Sequence, residues 1–152
     1  MQSIPKAALW LGLAGLIPFL AGVFLSLGGE IEIPEGSYPL IVPNDGLNIL
    51  ASYGVVILSF MSGVLWGFAA RPDQKVQPLY LALSVIPALY CFFFAWAGPI
   101  DERLLNLLIG FVGLLCLDYL FSVRGLAPGW WLSLRIGLTV VVCGCLAIGS
   151  FS

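Results

Sequence analysis

Apolar positions run almost unbroken through most of this chain, and polar ones gather at a few points. No charged residue falls between Ala7 and Gly29, between Gly46 and Ala70, or between Val76 and Ile100. A membrane-spanning helix needs roughly 20 apolar residues, so each of these runs spans alone. Two later runs are shorter. Leu104 to Leu117 gives 14 uncharged residues, and Ile136 to Ser152 gives 17. The fourth and fifth spans reach full length only by admitting Asp118 and Arg135. The pattern therefore predicts an all-α integral membrane protein with five transmembrane helices. They lie near 7–27, 47–70, 78–97, 103–122 and 130–150, in a single transmembrane domain covering 1–152. Isolated Gly and Pro do not break this reading, because membrane helices tolerate both. Pro18 and Pro87 each remove a backbone donor and should kink the first and third spans. Ser84, one turn before Pro87, offers a hydroxyl to a freed carbonyl.

Composition agrees. Hydrophobic residues make up 61% of the 152, and charged ones 9%. A soluble domain carries about 25% charged residues, so a water-soluble globule is excluded, and so is a polar disordered chain. A net charge of -2 leaves no basic surface for nucleic acid.

Lys and Arg set orientation. With the N-terminus inside, Lys6, Arg71, Lys75, Arg124 and Arg135 lie on or near the inner side, and Arg103 lies outside. The C-terminus is then outside. The five Trp residues fit interfacial belts: Trp10, Trp66, Trp130 and Trp131 near the inner face, and Trp96 near the outer one. The first apolar run exceeds the roughly 7–15 residues of a signal-peptide core, so a retained first span is expected.

The longest connection is an acidic outer loop over 28–46, with Glu30, Glu32, Glu35 and Asp45 and three prolines. A solvated connection is its ordinary role, and cation or partner binding the functional one. Asn44 or Asp45 is placed to cap the second span.

Little in the chain suggests catalysis. There is no His, and Cys91, Cys116, Cys143 and Cys145 show no zinc spacing. Small packing residues are their ordinary reading. No cofactor, metal or catalytic residue is expected, and no enzyme activity.

The second span is the most patterned. Ser52, Val56, Ser59, Gly63, Trp66 and Ala70 recur at alternating four and three, so they share one helix face. Small residues there let another helix approach, and hydroxyls can bond across. The alternative is a polar groove of Ser59, Ser62 and Trp66. Gly12, Gly15, Gly110 and Gly113 offer further close approaches.

Asp118 and Arg135 are the sharper signal. The short link between the last two spans makes them antiparallel neighbours, and the two charges arrive at similar depth. Ionisable groups in a bilayer face the bundle interior and find partners. An intramembrane ion pair is expected, either structural, with Arg135 partly snorkelling, or the centre of a proton, ion or headgroup site.

Three stretches, IPKAALWLGLAGLIPFLAG, YGVVILSFMSGVLWG and PGWWLSLRIGLTVVV, resemble the domain-of-unknown-function family 3429 of small multi-span membrane proteins. Tyr53, Gly54, Ser59, Gly63, Trp66, Gly67, Trp131, Arg135 and Thr139 match its pattern. The resemblance implies the five-helix architecture, with no agreed activity. It also implies a bacterial inner membrane or, alternatively, a mitochondrial inner membrane. A start without transit-segment character favours the bacterial one.

Two roles follow as expectations. One is an accessory or scaffold subunit packing with membrane partners: lipid, another membrane protein or a second copy. The other is a small transporter or proton, ion or lipid conduit using Asp118, Arg135 and the second-span hydroxyls.

Overall fold

The computed structural model describes residues 3–29, 45–71 and 78–151. Their helices are α1 (Lys6–Ala14), α2 (Ile17–Ser26), α3 (Gly46–Ala69), α4 (Pro78–Tyr90), a π-helical turn (Cys91–Ala95), α5 (Ile100–Val123) and α6 (Trp131–Ser150). Among the described residues there is no strand. Taken as spans, Lys6–Ser26, Gly46–Ala69, Pro78–Ala95, Ile100–Val123 and Trp131–Ser150 are five helical segments long and apolar enough to cross a bilayer. Most of the acidic loop, 30–44, lies outside the described residues, as do Asn44, Asp73 and Lys75.

α3 occupies the middle, packing against α2, α4 and α5, and α5 packs in turn against α6. Leu50, Leu58 and Leu65 of α3 and Leu104, Leu107, Leu114 and Phe121 of α5 are fully buried. Phe19 of α2 sits edge-on to Tyr53 of α3, with ring centroids 5.0 Å apart, and to Phe111 of α5 at 6.1 Å. The outer surface is apolar as well: Leu11, Phe60, Phe92 and Val140 are all exposed. In lipid that exposure carries no hydrophobic cost, so close packing and hydrogen bonds hold the helices together.

Both prolines act, each in its own way. The first span is interrupted at Gly15–Leu16, and Pro18 stands in the first turn of α2. There its missing N–H leaves no bond unmade. Its ring excludes the carbonyl four residues back, so the ladder breaks before Pro18 is reached. Leu16 N–H bonds instead to the Leu13 carbonyl, at 3.0 Å. Pro87 lies inside α4, and the helix continues past it to the π-helical turn. The hydroxyl of Ser84 bonds Leu81 O at 2.7 Å, not the Leu83 carbonyl that Pro87 leaves without its N–H.

The end of that span is tied down by α5. Arg103 Nε donates to the Ala95 carbonyl at 3.1 Å, and Asn106 Nδ2 donates to the Phe94 carbonyl at 2.8 Å. Asp45 holds the N-cap position of α3, but its carboxylate makes no cap bond to the backbone. It accepts instead from the Asn48 side-chain amide, at 2.6 Å.

Candidate functional site

α6 carries Trp131, Arg135 and Thr139 at intervals of four, which places them on one face. That face meets α5 at Asp118. Arg135 Nε donates to Asp118 Oδ2 at 2.8 Å, and Trp131 Nε1 donates to Asp118 Oδ1 at 2.7 Å. Asp118 is 1% exposed and Arg135 5%. Each carboxylate oxygen thus holds one N–H donor, an arrangement that offsets part of the cost of burying the charge. Trp131 is positioned by packing, edge-on to Phe68 of α3 with centroids 5.1 Å apart. Phe68 in turn lies under the Arg71 guanidinium, 5.6 Å from its ring centre.

The site is not fully paired. Arg135 Nη2, Thr139 Oγ1 and Ser122 Oγ are buried without a hydrogen-bond partner among the described residues. A buried donor left unmade costs more than a typical bond gains, so these atoms stand out chemically.

Asp118 and Arg135 meet as expected. Trp131, read from the sequence as a belt residue and as a match to the family pattern, completes the cluster. The signal for it was its spacing of four from Arg135.

The second-span residues do not gather. Ser62 is buried and donates to the backbone carbonyl of Ser84 on α4. Gly63, Trp66 and Gly67 are exposed, and Ser59 is half-buried, so Ser59, Ser62 and Trp66 form no common groove. Tyr53 is half-buried against Phe19. The face of Ser52, Val56, Gly63, Trp66 and Ala70 points away from the chain's own core. Close approaches occur elsewhere. A Cβ at Gly110 would lie 2.6 Å from Leu58 Cδ2, and one at Gly12 would lie 2.9 Å from Leu138 Cδ1. Gly113 faces open space, and a Cβ at Gly15 would meet its own helix backbone first, at 3.3 Å.

The cysteines are free thiols, Cys91 and Cys145 being buried. Among the described residues no group of three His, Cys, Asp or Glu side chains comes together to hold a metal.

Five apolar helices, with one charge cluster closed between the last two, define an integral membrane protein. Residues 4–151 match the family model described as protein of unknown function (DUF3429), and the chain belongs to that family. It is similar to transmembrane protein 69 of Xenopus tropicalis, 33% identical over 144 residues, covering 93% of this chain and 52% of the relative. It is similar also to transmembrane protein 69 of Mus musculus, 33% identical over 144 residues, covering 90% and 52%. The chain thus spans about half the length of these curated relatives. No solved structure matches it.

Proposed function

We propose that this protein is a non-catalytic accessory subunit that packs against another integral membrane protein through the outward face of α3. One observation carries the reading. Val56 is 59% exposed and Trp66 47%, and a Cβ added at Gly63 or Gly67 would meet nothing within 4 Å. Small residues let a neighbouring helix approach closely, and at Gly63 and Gly67 this chain's own helices leave that approach open. The absence of His and the engagement of Ser62 with Ser84 give no support to an enzyme. The conduit reading is the weaker one. It needs the α3 hydroxyls to extend a polar path from Asp118, and Ser62 is directed to α4 instead.

We place the protein in a bacterial inner membrane with the N-terminus on the cytoplasmic side, following the distribution of Lys and Arg. The mitochondrial inner membrane is the alternative. Affinity purification from native membranes in mild detergent tests the role. A stoichiometric partner should co-purify with the wild-type chain and be lost from Gly63→Leu, whose own thermal unfolding should match wild type. Recovery of the chain alone, or of homo-oligomers only, would reject the role.

A further inference from the structure

We propose that Arg135 and Thr139 bind the ester carbonyl of a diacyl glycerolipid, one acyl chain of which lies in a cavity between α1, α3 and α6. The cavity measures about 320 Å³, and Leu11, Phe60, Met61 and Leu138 are among the apolar residues that line it beside Arg135 and Thr139. That is within the range of sites that hold small molecules. Leu11 is 75% exposed, so the rim on the α1 side faces the acyl chains of the bilayer. The wall is otherwise hydrocarbon, which suits a chain and not a polar solute.

The polar wall selects the head. Arg135 and Thr139 are 5% and 3% exposed, and Nη2 and Oγ1 have no partner among the described residues. Both groups can donate, and a carbonyl oxygen has two lone pairs to accept from them. The acceptor is neutral, because Asp118 already balances the Arg135 charge at 2.8 Å. A further anion would bring an uncompensated charge into a low-dielectric site. Depth fits a glycerolipid. Arg135 is the fifth residue of α6, roughly 6 Å from the helix end that carries Trp131, and the ester groups are the most deeply set polar groups of a diacyl lipid. Both donor atoms are covered, so the carbonyl reaches them with a small rotamer change of neighbouring side chains; Met61, unbranched and adaptable, lines the same cavity.

The test compares two lipids. The full chain is purified in mild detergent, stripped of lipid and titrated with dioleoyl phosphatidylethanolamine or its ether-linked counterpart. The two share headgroup and chains, and only the first has carbonyls. Native mass spectrometry reads the bound fraction. The ester lipid should bind at one site per chain, about fivefold tighter than the ether lipid, as one or two net hydrogen bonds would give. Thr139→Val and Arg135→Lys should each remove most of that preference, and Cys116→Ala, on the exposed side of α5, should leave it intact. Equal binding of the two lipids by the wild-type chain would overturn the proposal. So would a preference that survives both substitutions, or displacement of the ester lipid by an equimolar decyl benzoquinone.

Discussion

Gly46 at the start of α3 lies backbone to backbone against Gly22 of α2: a Cβ added at Gly46 would fall on the Gly22 carbonyl oxygen and the Ser26 amide nitrogen. Backbone cannot yield as a side chain can. Gly46→Ala should therefore destabilise the protein by about 1–3 kcal/mol, the usual range for overpacking. Gly63→Ala, with open space around it, should be neutral or stabilise by up to about 1 kcal/mol through helix propensity. Reversible unfolding in mixed micelles checks both. Equal losses at the two positions would contradict this packing.

The Asp118–Arg135 pair gives a double-mutant cycle. Removing one member of a buried pair costs about 3–5 kcal/mol in soluble proteins, while polar couplings in membranes average about 0.6 kcal/mol. Asp118→Asn and Arg135→Gln should each fall between these limits, and the double variant should lose less than their sum. Trp131→Phe keeps the ring against Phe68 and removes the N–H held by Asp118 Oδ1. It should cost about 1–2 kcal/mol. Strictly additive losses at 118 and 135 would reject the coupling.

Ser62 of α3 and Ser84 of α4 are linked in one direction only. The hydroxyl of Ser62 crosses to the backbone of Ser84, whereas that of Ser84 turns back on Leu81 of its own helix. Ser62→Ala should then lose about 0.6–1.7 kcal/mol, in a Ser84→Ala background as much as in wild type. A coupling between the two side chains, read from the same unfolding curves, would show that the bond runs between hydroxyls instead.

Five spans place successive connections on opposite sides. In a cysteine-free background, Ala97→Cys should react with an impermeant maleimide from the outer side, and Gly129→Cys only after the membrane is opened. Labelling of both from one side would refute the span count. The cysteine-free parent should fold with native yield, since none of the four thiols is bridged.

The five spans were legible because lipid demands long apolar runs, and charge interrupts them at only a few points. The pairing of Asp118 with Arg135 was legible for a related reason: two short runs each needed one charge, and a short link made the helices neighbours. Direction around a helix was harder to read. Glycine is common in membrane helices whether or not another helix touches it. Thus Gly22, Gly46, Gly54 and Gly149, where an added Cβ would meet a neighbouring helix, could not be told from Gly63 and Gly67, where it would meet none. Alternation of three and four found the Ser52–Ala70 face but not whether it looked inward or outward. The Arg103 and Asn106 bonds to the end of the third span fall on carbonyls of the π-helical turn, and no local pattern in the sequence marks that turn.

The closeness of Asp118 to Arg135 also has an electrical consequence. Carrying one elementary charge across a bilayer under 100 mV involves about 2.3 kcal/mol. Asp118 and Arg135 are opposite charges held 2.8 Å apart, a small fraction of a hydrocarbon layer about 30 Å thick. Even with the pair aligned along the field, voltage acts on only about a tenth of a full crossing, roughly 0.2 kcal/mol, which is below thermal energy. An acid and a base paired in this way add almost nothing to the chain's response to the potential across the membrane.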